Sequence, residues 1–251
     1  MSKIIIHGGF FSESSTNIET KIAKQQALLR IVKDSYAYLQ NHSALETVVY
    51  AVSQLEDDEL FNAGIGSQIQ SDGKIRMSAS LMDGESQKMS GVINIEEVKN
   101  PIQVAQVLMQ VDDRILGGSG ATNFARKHGF ESFSTEIPQR RAEYEAKLAS
   151  LGTGTVGCVA LDKNGKIAVA TSTGGKGFEI PGRISDSATV AGNYANEFCG
   201  VSLTGVGEDI VSNATAAKIV TRVTDGFSIE KAFEKTSTEL KPYDGFAGAI
   251  G

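Results

Sequence analysis

Apolar positions along this chain switch between a period near 3.6 and a period near 2, and each switch marks an element. Ile4-Ile5-Ile6 running into His7-Gly8-Gly9 predicts a short buried strand. From Thr16 to Leu39 the apolar residues Ile18, Ile22, Leu29, Val32 and Tyr36 recur at helical spacing and predict a long helix. A second helix is expected from Ala44 to Leu55 through Val48, Val49, Ala51 and Val52. Phe61-Asn62-Ala63-Gly64-Ile65-Gly66 follows as a loop. Ile75–Met82 and Met89–Ile95 read as strands around the turn Asp83-Gly84. Pro101 suits the first turn of a helix through Val107. Ile115-Leu116-Gly117-Gly118 predicts a short strand leading to a helix over Ala121–Lys127.

Glu131–Gly154 is polar, with a helix expected around Pro138–Ala149, and reads as a linker or mobile loop. Thr155–Asp162 and Ile167–Thr171 predict two strands joined by Lys163-Asn164-Gly165-Lys166, whose Asn-Gly pair is a hairpin signal. A Gly-rich loop over Thr173–Gly182, helices over Glu208–Val223 and Ser228–Leu240, and a strand begun at Phe246–Gly251 complete the pattern. Such an order predicts a layered α/β fold without internal repeats.

Composition narrows the function. Of 251 residues, 24 are Lys or Arg and 30 are Asp or Glu, and this net charge of -6 argues against a nucleic-acid surface. No apolar run approaches the ~20 residues that span a bilayer, and the amino terminus has too short an apolar core for a signal peptide. Two cysteines, Cys158 and Cys199, cannot build a disulfide framework and read as structural. A cytoplasmic protein is expected. Three histidines (His7, His42 and His128) leave little for a His cluster. Twelve of the 27 glycines fall between Gly152 and Gly207, which marks that stretch for chemistry.

Thr155 is the sharpest candidate nucleophile there. A threonine hydroxyl needs a base beside it. The α-amine of the same residue can serve, because its pKa of about 7.7–8.0 lies close to working pH. Thr155 lies inside the chain, so the Gly154–Thr155 bond must first be cut. On its own, a threonine opening a strand is structural.

The ordered set of tags around it changes that weight. Gly154-Thr155-Val156-Gly157, Ala170-Thr171-Ser172-Thr173-Gly174-Gly175, Gly182-Arg183-Ile184-Ser185-Asp186-Ser187, Gly192-Asn193-Tyr194-Ala195 and Ser202-Leu203-Thr204-Gly205-Val206-Gly207-Glu208 occur in that order. Upstream stand His7-Gly8-Gly9, Phe61–Gly66, Ser80-Leu81-Met82-Asp83-Gly84, Lys99-Asn100-Pro101 and Gly118-Ser119-Gly120-Ala121. Together they resemble the plant-type asparaginase/isoaspartyl peptidase family of amino-terminal nucleophile hydrolases, over nearly the whole chain.

The resemblance implies a four-layer αββα sandwich made as a precursor. Cleavage before Thr155 would leave 1–154, with a mobile linker over about 131–154, and 155–251. The pieces would stay together and pair as a dimer of such heterodimers. Thr173 matches the family's second threonine and Asn62 its asparagine near the nucleophile. Arg183 matches the clamp on the substrate carboxylate, a role suited to a planar guanidinium. Asp186 matches the partner of the substrate ammonium, and Thr204 with the Gly205 N–H matches the oxyanion hole. Standing alone, Arg183 would read as a surface charge and Asp186 as a turn cap. The backbone carbonyls of Leu55, Glu56, Asp58, Phe61, Ala63 and Ile65 match a loop that binds a structural sodium ion. No organic cofactor is expected, and the implied substrate is a small molecule, asparagine or an isoaspartyl dipeptide.

Several positions depart from the family pattern. Phe10-Phe11 replaces small residues, Lys176-Gly177 replaces an Asn-Lys pair, and Ser185 stands where glycine is frequent. Relatives continue past Gly251 to complete sheet strands. The glycosylasparaginase branch carries Asp before the nucleophile, whereas Gly154 stands here. A threonine hydrolase of that branch, or an uncleaved inactive relative with a binding role, is the alternative reading.

Overall fold

Two antiparallel hairpins, made by the residues whose apolar positions alternate, form the middle of one sheet. The computed structural model describes residues 1–9, 18–146, 154–243 and 246–251. In the first sheet β1 (Lys3–His7), β2 (Met77–Asp83), β3 (Lys88–Ile95), β4 (Ile115–Gly117), β5 (Val156–Leu161) and β6 (Ile167–Thr173) run in the order β1-β5-β6-β2-β3-β4. Among the described residues only the β3–β4 pair is parallel. β7 (Asn193–Ala195), β8 (Gly200–Gly205) and β9 (Ala247–Ile250) form a second, antiparallel sheet.

Strand alternation decides what each face meets. Leu81, Cys158, Ala160, Ala168 and Ala170 turn one face of the first sheet into the main core. α1 (Ile18–Leu39), α2 (Ala44–Glu56) and α3 (Pro101–Leu108) cover that face. The small side chains there let α2 lie close to β5 and β6, and α2 is apolar around most of its surface because it is covered on most sides. Met82, Val159 and Val169 point the other way, toward Ala195 and the second sheet. From β8, Val201 and Leu203 face a separate core with Ile210, Ile219, Val220 and Ala232. Those last residues come from α6 (Gly207–Asn213), α7 (Thr215–Thr224) and α8 (Ile229–Leu240). Ser202 and Thr204 therefore project from β8 toward the first sheet.

Four expectations change. The strand at Ile4-Ile5-Ile6 lies at the sheet edge rather than inside it, and Ile5 is exposed. The apolar stripe that predicts α1 does not face the core: Ile18, Ile22, Leu29 and Tyr36 are exposed, while Ala27, Ile31, Ser35 and Leu39 are buried. The expected start at Thr16 lies outside the described residues. The helix expected over Glu208–Val223 is two helices broken at Ala214, which takes a left-handed conformation at φ 51°. Finally, α4 (Gly118–Lys127) starts directly after β4.

The described part of the expected linker is anchored. α5 (Pro138–Glu145) sends Arg140 Nε to the Gly66 carbonyl and the Tyr144 hydroxyl to the Ser71 carbonyl. Tyr144 also stacks on Phe178, with centroids 5.2 Å apart. Residues 147–153, including the approach through Gly152, lie outside the described residues, as do Phe10 and Phe11. No helix among the described residues is long and apolar enough to cross a membrane.

Candidate active site

The carboxyl-terminal ends of β6 and β8 and the start of β5 meet at one end of the space between the sheets. Thr155, immediately before β5, is buried. Its hydroxyl lies 3.4 Å from Ser187 Oγ. Ser187 belongs to a 3-10 turn, Asp186–Ala188, that also carries Asp186, and Ser80 Oγ fixes this turn by donating to the Ser187 carbonyl at 2.6 Å.

The Gly154–Thr155 bond is tightly walled. A Cβ placed on Gly9 would stand 2.7 Å from Gly154 Cα and 3.4 Å from Thr155 N, so only glycine lets β1's extension approach the bond this closely. On the other side, a Cβ on Gly154 would meet Asn62 Cβ at 2.9 Å. Asn62 is itself held at both ends: Nδ2 donates to the Gly175 carbonyl at 2.5 Å and Oδ1 accepts from the Gln68 N–H at 2.9 Å. The Asn62 carbonyl accepts from the Gly174 N–H. Thr173 ends β6, and its hydroxyl accepts from the Gly175 N–H at 3.1 Å. Thr155 thus meets Ser187, while Thr173 shapes the neighbouring turn.

Arg183 and Asp186 form the charged wall. Arg183 Nε and Nη2 donate to the two oxygens of Glu208 at 2.8 and 3.0 Å, which leaves the Nη1 edge for another carboxylate. Arg183 thereby holds Glu208 at about 2, and burial is the opposing influence. Burial pushes the Asp186 carboxyl up to about 7, against the pull of Arg183. Its Oδ2 is buried with no partner among the described residues, an acceptor to which a cationic group would bring both charge and hydrogen bonds. Gly207 makes room for this pair, because a Cβ there would stand 2.7 Å from Asp186 Oδ1 and 2.8 Å from Arg183 Nη2. Thr204 and Gly205 close β8, and Thr204 is buried.

A buried threonine between a glycine and the start of β5, with a guanidinium and a buried carboxylate on the neighbouring turn, is the constellation the ordered tags imply. The sequence profile described as asparaginase matches residues 1–251. The chain belongs to the asparaginase family.

Within that family it is similar to the isoaspartyl peptidase/L-asparaginase of Synechocystis, 46% identical over 99% of this chain and 80% of the relative. The Nostoc protein of the same name is 44% identical over 99% of this chain and 84% of its own. The isoaspartyl peptidase of Escherichia coli is 36% identical, covering 98% and 85% respectively.

The structure adds members to this asparaginase-family site. Ser187 and Glu208 lie inside the sequence tags but gain their roles only from contacts across β6, β8 and the 3-10 turn. Glu179 is buried in the Gly-rich loop with Oε2 unpartnered and Oε1 accepting from the Lys176 N–H. Its signal was the run Gly174-Gly175-Lys176-Gly177 beside it. A Cβ on Gly175 would fall 1.9 Å from Glu179 Oε1.

Proposed function

We propose that this chain is an autoproteolytic isoaspartyl peptidase/L-asparaginase of the four-layer αββα amino-terminal nucleophile type. The observation that carries the reading is the joint placement of buried Thr155, its walled Gly154–Thr155 bond, and the Arg183–Asp186 wall, which Ser187 links to the Thr155 hydroxyl. Helices on the outer faces of both sheets support the layer assignment.

The reaction follows from these groups. After cleavage the neutral α-amine of Thr155 takes the hydroxyl proton as Oγ1 attacks the side-chain amide carbonyl of asparagine, or the β-peptide carbonyl of an isoaspartyl dipeptide. Thr204 and the Gly205 N–H stabilise the oxyanion. The carbon–nitrogen bond breaks as the amine returns the proton to the leaving nitrogen, giving ammonia or an amine and a β-aspartyl ester on Thr155. Water, deprotonated by the same amine, hydrolyses the ester to aspartate and restores the hydroxyl. Arg183 Nη1 holds the substrate α-carboxylate and Asp186 its α-ammonium, so a peptide bond inside a chain, lacking both charges, is refused. Asn62 holds the cleavage loop, and Thr173 shapes the turn beside it.

A structural sodium ion held by the loop from Leu55 to Ile65 is part of this reading. The Glu56 and Asp58 carbonyls each hold one backbone donor and keep a second lone pair. Leu55, Glu56, Asp58, Phe61, Ala63 and Ile65 would supply carbonyl oxygens, and the ion would stiffen the loop that carries Asn62. The buried, unpaired Cys158 and Cys199 support a reducing, cytoplasmic setting.

Mass spectrometry of the purified protein tests the reading. Two chains divided at Gly154/Thr155 are expected, with ammonia released from asparagine and leucine from isoaspartyl-leucine. Thr155→Ala should give one intact, inactive chain. An intact chain that is active sinks the proposal.

A further inference from the structure

The polar stretch that reads as a linker has a fixed part that reaches the site. α5 lies on the amino-terminal side of the Gly154–Thr155 bond and ends at Glu145, so it stays with the first piece once that bond is cut. It rests on two loops. One runs from Phe61 to Lys74 and carries Asn62, and the other is the Gly-rich loop after β6. Arg140 Nε donates to the Gly66 carbonyl at 2.8 Å and Arg141 Nη2 to the Gly73 carbonyl at 3.3 Å. Just before α5, the Thr135 carbonyl accepts from the Gly66 N–H at 3.1 Å. Tyr144 touches both loops at once: its hydroxyl donates to the Ser71 carbonyl at 3.2 Å, and its ring stacks on Phe178 with centroids 5.2 Å apart and planes inclined by 12°.

From Tyr144 the contacts lead step by step toward Thr155. The two loops are bonded to each other where Tyr144 crosses them, Phe178 N–H to the Ile69 carbonyl at 2.9 Å and Ser71 N–H to the Glu179 carbonyl at 3.1 Å. Phe178 is left-handed at φ 56°, a conformation that a residue with a Cβ keeps only where its surroundings hold it. The Tyr144 ring and the Ile69 carbonyl are those surroundings. Glu179 then folds back over its own loop. Its Oε1 accepts from the Lys176 N–H at 3.3 Å and lies against Gly175, where a Cβ would stand 1.9 Å from it. Gly175 bonds into the site in two directions: its N–H donates to Thr173 Oγ1 at 3.1 Å, and its carbonyl accepts from Asn62 Nδ2 at 2.5 Å. Asn62 in turn walls Gly154, since a Cβ on that glycine would meet Asn62 Cβ at 2.9 Å.

We propose that Tyr144 is a positioning residue: by tying Phe178 to Ser71 it holds the Gly-rich loop against Asn62, in the precursor during cleavage and in the cut enzyme during turnover. The proposal rests on Thr155 being the nucleophile. Tyr144 touches no reacting atom and acts through Gly175, whose displacement would release Asn62 Nδ2 and Thr173 Oγ1 together. A misplacement of about 1 Å made far from the chemistry can cost about a hundredfold in rate. Arg183 is fixed separately, by Glu208 on its guanidinium and by the Asn94 amide on its carbonyl, so the grip on the substrate should be spared.

Processing and turnover of full-chain variants test this. Tyr144→Ala should form the two pieces about tenfold more slowly and, once cut, lose about tenfold in kcat on isoaspartyl-leucine with KM changed by less than about twofold. Tyr144→Phe keeps the stacked ring and loses one hydrogen bond, so it should recover to within about threefold of the native rates. Phe178→Gly removes the other ring at a φ that glycine takes freely, and it should lose as much as Tyr144→Ala. The double variant should be no worse than either single one, as for two groups that act as a unit. Unchanged processing and kcat in Tyr144→Ala, a loss carried by KM, no recovery in Tyr144→Phe, or additive losses each overturn the proposal. A merely structural role would lower the urea midpoint and leave kcat in place. If Tyr144→Ala does not fold, hydrogen exchange in the native cut enzyme decides: the α5 amides and the Phe178 amide should exchange at one common slow rate. Unequal rates, or an α5 that exchanges like a free peptide, overturn it. Activity in Thr155→Ala would instead remove the nucleophile reading and leave the exchange result standing.

Discussion

Asp186 shows how burial sets a working range. Its carboxyl, pushed up to about 7, must be ionised to hold an ammonium group. kcat/KM reports groups of the free enzyme, so it should fall as pH drops through about 7, while kcat, measured with the ammonium already in place, should show that limb displaced to lower pH. The two pH profiles, measured with isoaspartyl-leucine, check this. The same shift has a stability consequence. Between the ordinary carboxyl value and about 7 the folded chain keeps a proton that the unfolded chain has released, so this group's contribution to stability declines as pH rises across that window. Gly157 is a second residue-scale case. Gly157→Ala inserts a methyl 2.0 Å from Ser202 Oγ, and overpacking of this kind should cost about 1–3 kcal/mol by denaturant melting. A change below a few tenths would mean that this packing yields easily. At this scale the sequence was informative about identity and uninformative about contact. Thr155, Arg183 and Asp186 were legible because their tags are ordered along the chain. Ser187, Glu208 and Glu179 gained meaning only when folding set them beside those three.

Among elements, the clearest lesson comes from the helices. The long helix α1 was legible from its period, but the stripe that revealed it faces outward, because the sheet accepts the narrower line of Ala27, Ile31 and Leu39. Periodicity reports helical winding, and which stripe is buried depends on what packs against it. The break between α6 and α7 was invisible for a related reason: Ala214 is a strong helix former forced to φ 51° by the meeting of two helices. Ala214→Gly should therefore raise stability by about 1 kcal/mol, the order of the left-handed penalty for a residue with a Cβ, read as a higher urea midpoint at unchanged slope. A lower midpoint would show that the entropy lost by glycine outweighs the strain relieved. In the sheet, the shift in pairing between β2 and β3 falls at Asn94, at φ 52°. Its amide donates to the Arg183 carbonyl at 3.1 Å, so an irregularity in one hairpin helps to place Arg183.

For the whole molecule, the strand order carries a consequence for cleavage. β5 and β6 follow Gly154 in the chain and lie between β1 and β2, which precede it. A cut at Gly154 thus divides the chain into 154 and 97 residues (251 − 154 = 97) without separating two domains, because each piece completes the other's sheet. Both pieces should co-elute by size exclusion and separate only in denaturant. Light scattering should give twice 26.6 kDa if two such pairs associate, with the outward apolar stripe of α1 as a face for a second copy to cover. A mass near 26.6 kDa would exclude the dimer.

The sequence by itself determined the hairpins, the helices' existence and the ordered tags that single out Thr155, because these depend on local period, turn chemistry and residue order. Tertiary structure decided which strands are neighbours, which stripe of α1 is buried, and which carboxylate pairs with Arg183. It also brought His7 beside Ser202, 195 positions away. Those outcomes depend on contacts between distant segments and on how far each group is taken out of water, and neither is written in any stretch of neighbouring residues.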